Sequence, residues 1–248
     1  METLKKTGVW VRGLVVLAAL AALAAWILFG SGSRVAAYPI NPRDHIASWT
    51  FKGTYTGYPT FVAKANADLA KLRVDMREKK YDNYDLYIGM GEDYDLLGNG
   101  RAAYNAYNHA IDLYPNQGLA YTDLAALMSQ LGARYTAADA YARAEAVQPS
   151  VLTYHVEQLD FLTNYFATDT PRVSAAFEDA SKQFGDISQV LQIEAPWLAS
   201  LGEYGNAIQA YQRAILLSPG RHVSGMQRAI TQLKAKEAQQ AAASSTKA

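Results

Sequence analysis

AYNAYNHAIDLYP at residues 103–115, AADAYARAEAVQP at 137–149 and AIQAYQRAILLSP at 207–219 state one pattern three times. Each closes on a proline (Pro115, Pro149, Pro219). Before it, alanine, tyrosine and alanine stand at fixed steps: Ala103, Tyr107 and Ala110; Ala137, Tyr141 and Ala144; Ala207, Tyr211 and Ala214. The prolines fall at multiples of a unit of about 34 residues. Self-similarity at such a period marks an array of helical hairpins, whose units bury their apolar faces only by stacking. Arrays of this kind more often bind other proteins than carry out chemistry.

Each pattern forms the second half of a longer unit. In Tyr84 to Gly118, Tyr87, Met90, Gly91, Tyr94 and Leu97 belong to a first helix and Gly98-Asn99-Gly100 to the turn. Gly91 and Ala103 let the two antiparallel helices approach closely, and Ala110 leaves room for the next unit. The second unit carries Tyr121, Leu124, Ala125 and Gly132 ahead of its pattern, and the last carries Leu191, Ala195, Leu198, Gly202 and Tyr204. The spacing closely resembles the tetratricopeptide repeat: an aromatic, a Leu-Gly pair, a Tyr, then Ala, an aromatic, Ala and Pro. Ala125 in place of glycine and Glu194 in place of leucine depart from it, and Pro196 predicts a bend in the last unit's first helix. The resemblance covers Tyr84 to Pro219. It implies an all-α fold, a right-handed superhelical array of antiparallel helix hairpins with a concave groove lined by the first helices.

Between the second and last units, Tyr154 to Ile187 fills one more unit with a weaker match. Phe177 and Ala180 fit the second helix, Gly185 stands where proline would, and Thr168-Asp169-Thr170-Pro171 is a helix start signal. The expectation is therefore four hairpins. Ahead of them, Pro59 opens a helix whose stripe Phe61, Ala65, Leu69, Leu72 and Met76 covers the start of the array, running to about Lys80. Behind them, Val223, Met226, Ile230 and Leu233 form the apolar face of a closing helix.

The N-terminal end is of another kind. Uncharged apolar residues run from Leu14 to Phe29, and extended back to Val9 the segment is long enough for a hydrocarbon core of about 30 Å. Trp10 and Trp26 bracket it, and Lys5, Lys6 and Arg12 on its N-terminal side predict a cytoplasmic N-terminus with the repeats on the periplasmic or extracellular side. A signal sequence cleaved after Ala37 would export the repeats equally. The expected division is an anchor at 1–30, a linker and extended arm at 31–58, the helical domain at 59–238 and a disordered tail at 239–248. Trp49, Phe51 and Tyr55 make the arm aromatic, fit to pack on its own domain or to join copies in assembly.

Composition narrows the function. With 23 basic and 23 acidic residues the formal net charge is zero, which argues against nucleic-acid binding. The absence of cysteine excludes disulfides and thiolate chemistry. His45, His109, His155 and His222 are scattered without metal-ligand spacing, so no metal, cofactor or catalytic residue is expected. The 17 tyrosines read chiefly as helix packing.

What remains is the groove the resemblance implies. Its matching positions are Asp85, Ile88, Glu92 and Asp95 in the first unit and Leu119, Thr122, Ala126 and Ser129 in the second. His155, Leu162, Tyr165 and Phe166 in the degenerate unit form an apolar pocket there. The basic residues with which some tetratricopeptide domains grip acidic C-termini are missing, so the first unit suits a basic or polar ligand. The expected function is a membrane-anchored, non-catalytic scaffold for partner proteins outside the cytoplasm. The alternative is a self-assembling structural subunit, or a structural accessory subunit of a large membrane complex.

Overall fold

The computed structural model describes residues 37–218, 220 and 223–245. The expected span at 9–29 lies outside the described residues. Among those described, no helix is long and apolar enough to cross a membrane. Ten helices are described: α1 (Pro59–Glu78), α2 (Asn83–Leu96), α3 (Gly100–Leu113), α4 (Leu119–Gln130), α5 (Arg134–Val147), α6 (Leu152–Tyr165), α7 (Thr170–Phe184), α8 (Ser188–Ser200), α9 (Tyr204–Leu217) and α10 (Val223–Ser245). They form four stacked hairpins, α2–α3, α4–α5, α6–α7 and α8–α9, with α1 against the first and α10 against the last. The described residues are thus all-helical and built as a tetratricopeptide-like array.

The repeated small residues are the contact points. Ala103, Ala110, Ala137, Ala144, Ala207 and Ala214 are all fully buried. A methyl at those points lets helix axes approach to the near end of the usual range of about 8–10 Å. In the first hairpin the approach is closer still, because a side-chain carbon on Gly91 would collide with the ring of Tyr107. The weakly matching third unit forms its hairpin all the same. Val173, Phe177 and Ala180 take the alanine, tyrosine and alanine places and are buried. Phe177 stacks on Trp197 of α8 at 5.3 Å, but α8 packs more against α6 than against α7, so the stacking of units loosens there. α8 runs on through Pro196, which sits on its exposed side.

Two helix ends differ from expectation. α1 stops at Glu78, with Lys79 in a left-handed conformation, and its first stripe residue, Phe61, stays half exposed against Tyr55. α10 continues to Ser245, through residues 239–245 of the segment read as a disordered tail. Ala235, Ala238, Ala241, Ala242 and Ala243 explain the continuation, since alanine has the highest intrinsic helix propensity.

The arm is bound to its own domain in two stretches. Tyr38 to Asp44 lies across α3 and α5. The Tyr104 hydroxyl donates to the Tyr38 carbonyl at 2.5 Å, the Tyr38 N–H donates to Asn108 Oδ1, and the Asn41 N–H donates to Thr136 Oγ1 at 2.9 Å. Asp44 then supplies a cap that α5 lacks in its own sequence. Its carboxylate accepts the Tyr135 and Thr136 N–H groups at 3.1 and 2.6 Å and the Thr136 hydroxyl at 2.7 Å. Trp49 to Tyr55 follows the first hairpin turn. Thr50 bridges Asn99, the Phe51 N–H donates to the Gly98 carbonyl at 3.1 Å, and the Tyr55 N–H donates to the Leu96 carbonyl at 3.0 Å. No strand longer than that one bridge occurs among the described residues. Gly98 serves both turn and arm: its φ is 76°, and a side-chain carbon there would strike the Phe51 carbonyl.

Replacing Gly91 by alanine forces a methyl into the buried Tyr107 ring, and overpacking of this kind costs about 1–3 kcal/mol. The expected result is a denaturation midpoint lowered accordingly for Gly91→Ala. Most of it should return in the double variant Gly91→Ala/Tyr107→Leu, where the ring is gone. Equal destabilisation by the two variants would show that the ring contact is not the cause.

Candidate functional site

The first helices of the hairpins share a chemical peculiarity. α2, α4, α6 and α8 contain Asp85, Glu92, Asp93, Asp95, Asp123, Glu157, Asp160 and Glu194, and not one lysine or arginine. Their apolar sides, such as Ala120, Leu124, Leu127 and Met128 of α4, are spent on the core. Of the carboxylates, Glu92, Glu157 and Asp95 all act on Asp123. Glu157, Asp160 and Asp123 in turn push the Tyr141 hydroxyl up to about 12, after burial as the main cause. Asp93 lies beside Asp68 and Lys64 of α1 and also feels Glu92.

At the centre of this face α4 and α6 stand apart around a cavity of about 680 Å³. Its lining includes Ser129, Tyr141, Glu157, Asp160, Phe161 and Tyr165. Beside it Asp123 is the most strained charge. Burial raises its carboxyl to about 7, with Glu92, Glu157 and Asp95 adding to the rise, and its oxygen Oδ2 is buried without a hydrogen-bond donor. Asp95 is better served, since both of its oxygens accept from the Gln130 amide at 3.1 Å. Burial also raises Asp95 and Glu157. Arg134 of α5 lies 4.7 Å over the Tyr165 ring, but no lysine or arginine stands on the helices that carry the carboxylates. Carboxylates concentrated among aromatic rings in this way are complementary to a lysine or arginine side chain, which offers a charge, an apolar stem and, for arginine, a flat face to stack.

The positions expected in the groove divide. Glu92, Asp95, Ser129 and Tyr165 lie on the face just described, and Asp85 is exposed at the N-terminal end of α2. Ile88, Thr122, His155 and Leu162 do not lie on it: they are between 3% and 6% exposed and point into the molecule. In place of a groove pocket, His155 and Leu162 form part of the floor on the opposite side of α6. A sequence spacing fixes position along a helix but not rotation about its axis, and these side chains turn inward in the regular units (Ile88, Thr122) as in the degenerate one. Phe166 is at the turn, with the Arg172 guanidinium 4.7 Å from its centroid. Asp123, Tyr141, Glu157, Asp160 and Phe161 were not anticipated. The missing signal was available as the absence of Lys and Arg from four separate helices.

The arm residues Trp49, Phe51 and Tyr55 are all partly buried at home. Arg101 lies 3.5 Å above the Trp49 ring, whose edge meets Tyr104 at 5.1 Å, and Tyr55 stacks on Phe61 at 5.3 Å. Among the described residues, no group of three or more His, Asp or Glu is arranged to hold a metal ion.

The raised carboxyls make stability depend on pH. Asp123 has an ordinary value of 3.8 when unfolded and about 7 when folded; Glu145 of α5 goes from 4.5 to about 8, by burial and the nearby Asp179. A folded value above the unfolded one means that the native state holds its proton more tightly. The contribution is therefore full below about pH 4 and lost as pH rises through 7 to 8. Thermal unfolding should show a lower midpoint at about pH 8.5 than at about pH 5.5. Asp123→Asn should recover on the order of 4 kcal/mol at the higher of these and about half as much at the lower. A midpoint that rises with pH would contradict this account.

No protein-family model matches the chain, and no curated protein does. Among solved structures the chain is similar to MamA, at 16% identity over 62% of this chain and 89% of that one, with a TM-score of 0.47. It is similar to MamA AMB-1 at 15% identity, covering 67% and 92%, with a TM-score of 0.48. It is also similar to TTC0263, a thermophilic TPR protein in Thermus thermophilus, at 15% identity, covering 73% and 96%, with a TM-score of 0.49.

Proposed function

We propose that this chain is a non-catalytic scaffold, tethered to a membrane by residues 9–29, that holds a partner protein by a basic segment laid along the first-helix face. The observation that carries the reading is the charge of that face: carboxylates on all four first helices and no compensating base on any of them. Neutral overall composition makes the segregation informative, because the basic residues exist and are placed elsewhere. Asp123 adds a buried oxygen without a donor, which a guanidinium or ammonium from a partner would supply. Tyr141 and Phe161 offer the stem and the cation an aromatic wall, beside Tyr165, whose ring already carries Arg134. Lys5, Lys6 and Arg12 before the span favour an export topology, so the partner is sought outside the cytoplasm. Tethering raises the effective concentration towards other membrane proteins, and moderate affinity then suffices.

Self-assembly is the second reading, with attraction between the acidic first unit and the basic C-terminal helix as its basis. It gains nothing from the arm, whose aromatic side chains are engaged by Arg101, Tyr104 and Phe61 of the same chain. A permanent place in a larger membrane complex would use the same acidic face.

The test is crosslinking in intact cells, followed by mild detergent extraction and mass spectrometry. It compares the natural chain with the triple variant Glu92→Lys/Asp95→Lys/Glu157→Lys. Exposed charge pairs are worth about 0.5–1 kcal/mol each, so three reversals should cut partner recovery roughly tenfold or more, and added salt should weaken the natural complex. Thermal unfolding of the variant should stay close to that of the natural chain. Undiminished recovery of the same partners would falsify the acidic face as their seat, and recovery of crosslinks between copies alone would favour self-assembly.

A further inference from the structure

The second helices of neighbouring hairpins leave a trough between them, and the first of these troughs is occupied. Between α3 and α5 lies the chain's own extended stretch Tyr38 to Asp44. Its main chain is held by the side chains of Tyr104, Asn108 and Thr136, and the Asn41 carboxamide donates to Asp139 at 2.8 Å. The next trough, between α5 and α7, is an open cavity of about 520 Å³ floored by His155, Gln158 and Leu162 of α6. The two troughs are continuous in construction. They share α5 as a wall, and Asp139, which receives Asn41 on one side, also lines the open trough on the other.

One repeat unit further along, the holding side chains are absent. Ala138 and Ala142 stand in α5 where Tyr104 and Asn108 stand in α3, so the open trough is wider by a phenol and a carboxamide. Ala146 of α5 and Ala175 of α7 continue the smooth walls. Its polar groups are mixed: Asp139, Glu145 and Asp179 accept, while Arg172 and Lys182 donate. A site for a simple anion or cation would concentrate one sign. Acceptors and donors present together match a polypeptide main chain, which offers N–H and C=O groups together.

The floor is also incompletely satisfied. His155 is 4% exposed. Its Nε2 faces the Pro149 carbonyl at 3.0 Å, and a carbonyl only accepts, so Nε2 carries the hydrogen. Nδ1 is left facing Glu145 Oε1 at 3.4 Å, and neither atom completes a hydrogen bond. Glu145 keeps a small exposure where it lines the trough. An uncharged polar side chain arriving above it would find an acceptor there, as Asn41 finds Asp139.

We propose that the α5–α7 trough is a second docking site, for an extended segment of a partner protein carrying an uncharged polar side chain over Glu145. Ala138 to Pro149 spans about 16 Å of helix, which accommodates about five residues of extended chain. The site lies on the opposite layer from the acidic face and stands independently of that reading.

The probe is a displayed library of decapeptides with two fixed prolines three residues apart, the spacing of Pro39 and Pro42 in the arm, selected on the full chain in detergent micelles. Enrichment of a peptide family is expected. Its affinity should fall at least tenfold for Ala142→Trp, which fills the trough from an exposed position, and likewise for Ala175→Arg on the facing wall. Both variants should melt like the natural chain, and if one does not fold the other decides. The triple reversal on the first-helix face should leave binding unchanged. The proposal is overturned if nothing is enriched, or if both folded trough variants bind the peptides as the natural chain does. It is equally overturned if binding depends on the first-helix carboxylates, or on Asn108, which would mean that the arm had been displaced.

Discussion

The close approach of paired helices at small residues is the constraint on which the array depends. Fully buried alanines at 103, 110, 137, 144, 207 and 214 bring the helices of each hairpin, and each hairpin and its successor, into contact through methyl groups. Large side chains then have few places to go. Tyr107 is pressed against Gly91 and its hydroxyl is pushed well above its ordinary range by burial; Tyr141 meets Phe161 across the next junction at 5.2 Å. Where a different residue takes an alanine place the stacking changes. Val173 in the third unit adds bulk, and the junction between α7 and α8 is the loosest in the array. Close packing on one side of every helix also fixes what is left over: a free face on the first helices and troughs between the second helices.

The arm shows how the chain uses one of those leftovers. A β-rich segment before an all-helical array has no sheet to join, and a lone strand is unstable in water. Its peptide groups are satisfied instead by side chains of α3 and α5 and by the backbone of the first turn. In return, Asp44 places a carboxylate on the two N–H groups at the start of α5, a helix whose own N-cap is Ala133. The glycines of Gly98-Asn99-Gly100 answer to the arm as much as to the turn, because side-chain carbons at Gly98 and Gly100 would meet the backbone of Phe51 and Trp49.

Periodicity made the hairpins legible before any coordinates, since the buried alanines and tyrosines must recur wherever the same contact recurs. It even placed the degenerate unit, on Phe177 and Ala180. The acidic face was only half visible. Asp85, Glu92 and Asp95 stand in one helix and attract notice, whereas Asp123, Glu157 and Asp160 are brought beside them by stacking of units tens of residues apart. Ile88, Thr122, His155 and Leu162 turn inward because a repeat match fixes sequence spacing but not rotation about the helix axis. The trough residues Ala138, Ala142 and Ala175 are silent in the sequence, because an alanine that forms an open wall reads like one that packs.

The distribution of charge on the first-helix face costs stability, and the proposed binding role would account for it. A fold selected for stability alone would pair Asp123 or replace it, since a buried oxygen without a donor costs about 1–3 kcal/mol and more when charged. Four helices without a single base repeat the same departure along the array. The uncompensated charge is free energy that the proposed basic ligand would recover: a cation beside Asp123 would lower its pKa towards the ordinary carboxylate value and so favour loss of its proton. Ligand binding, proton release and gain in stability are then one linked equilibrium. The proposed trough between α5 and α7 would follow the same logic with neutral chemistry: Glu145 and His155 face each other without a completed hydrogen bond, and the small exposed edge of Glu145 is what an extended segment would meet. Departures from local rules tend to gather at functional surfaces. In this chain they gather on two layers of one scaffold, separated by the buried core of α6.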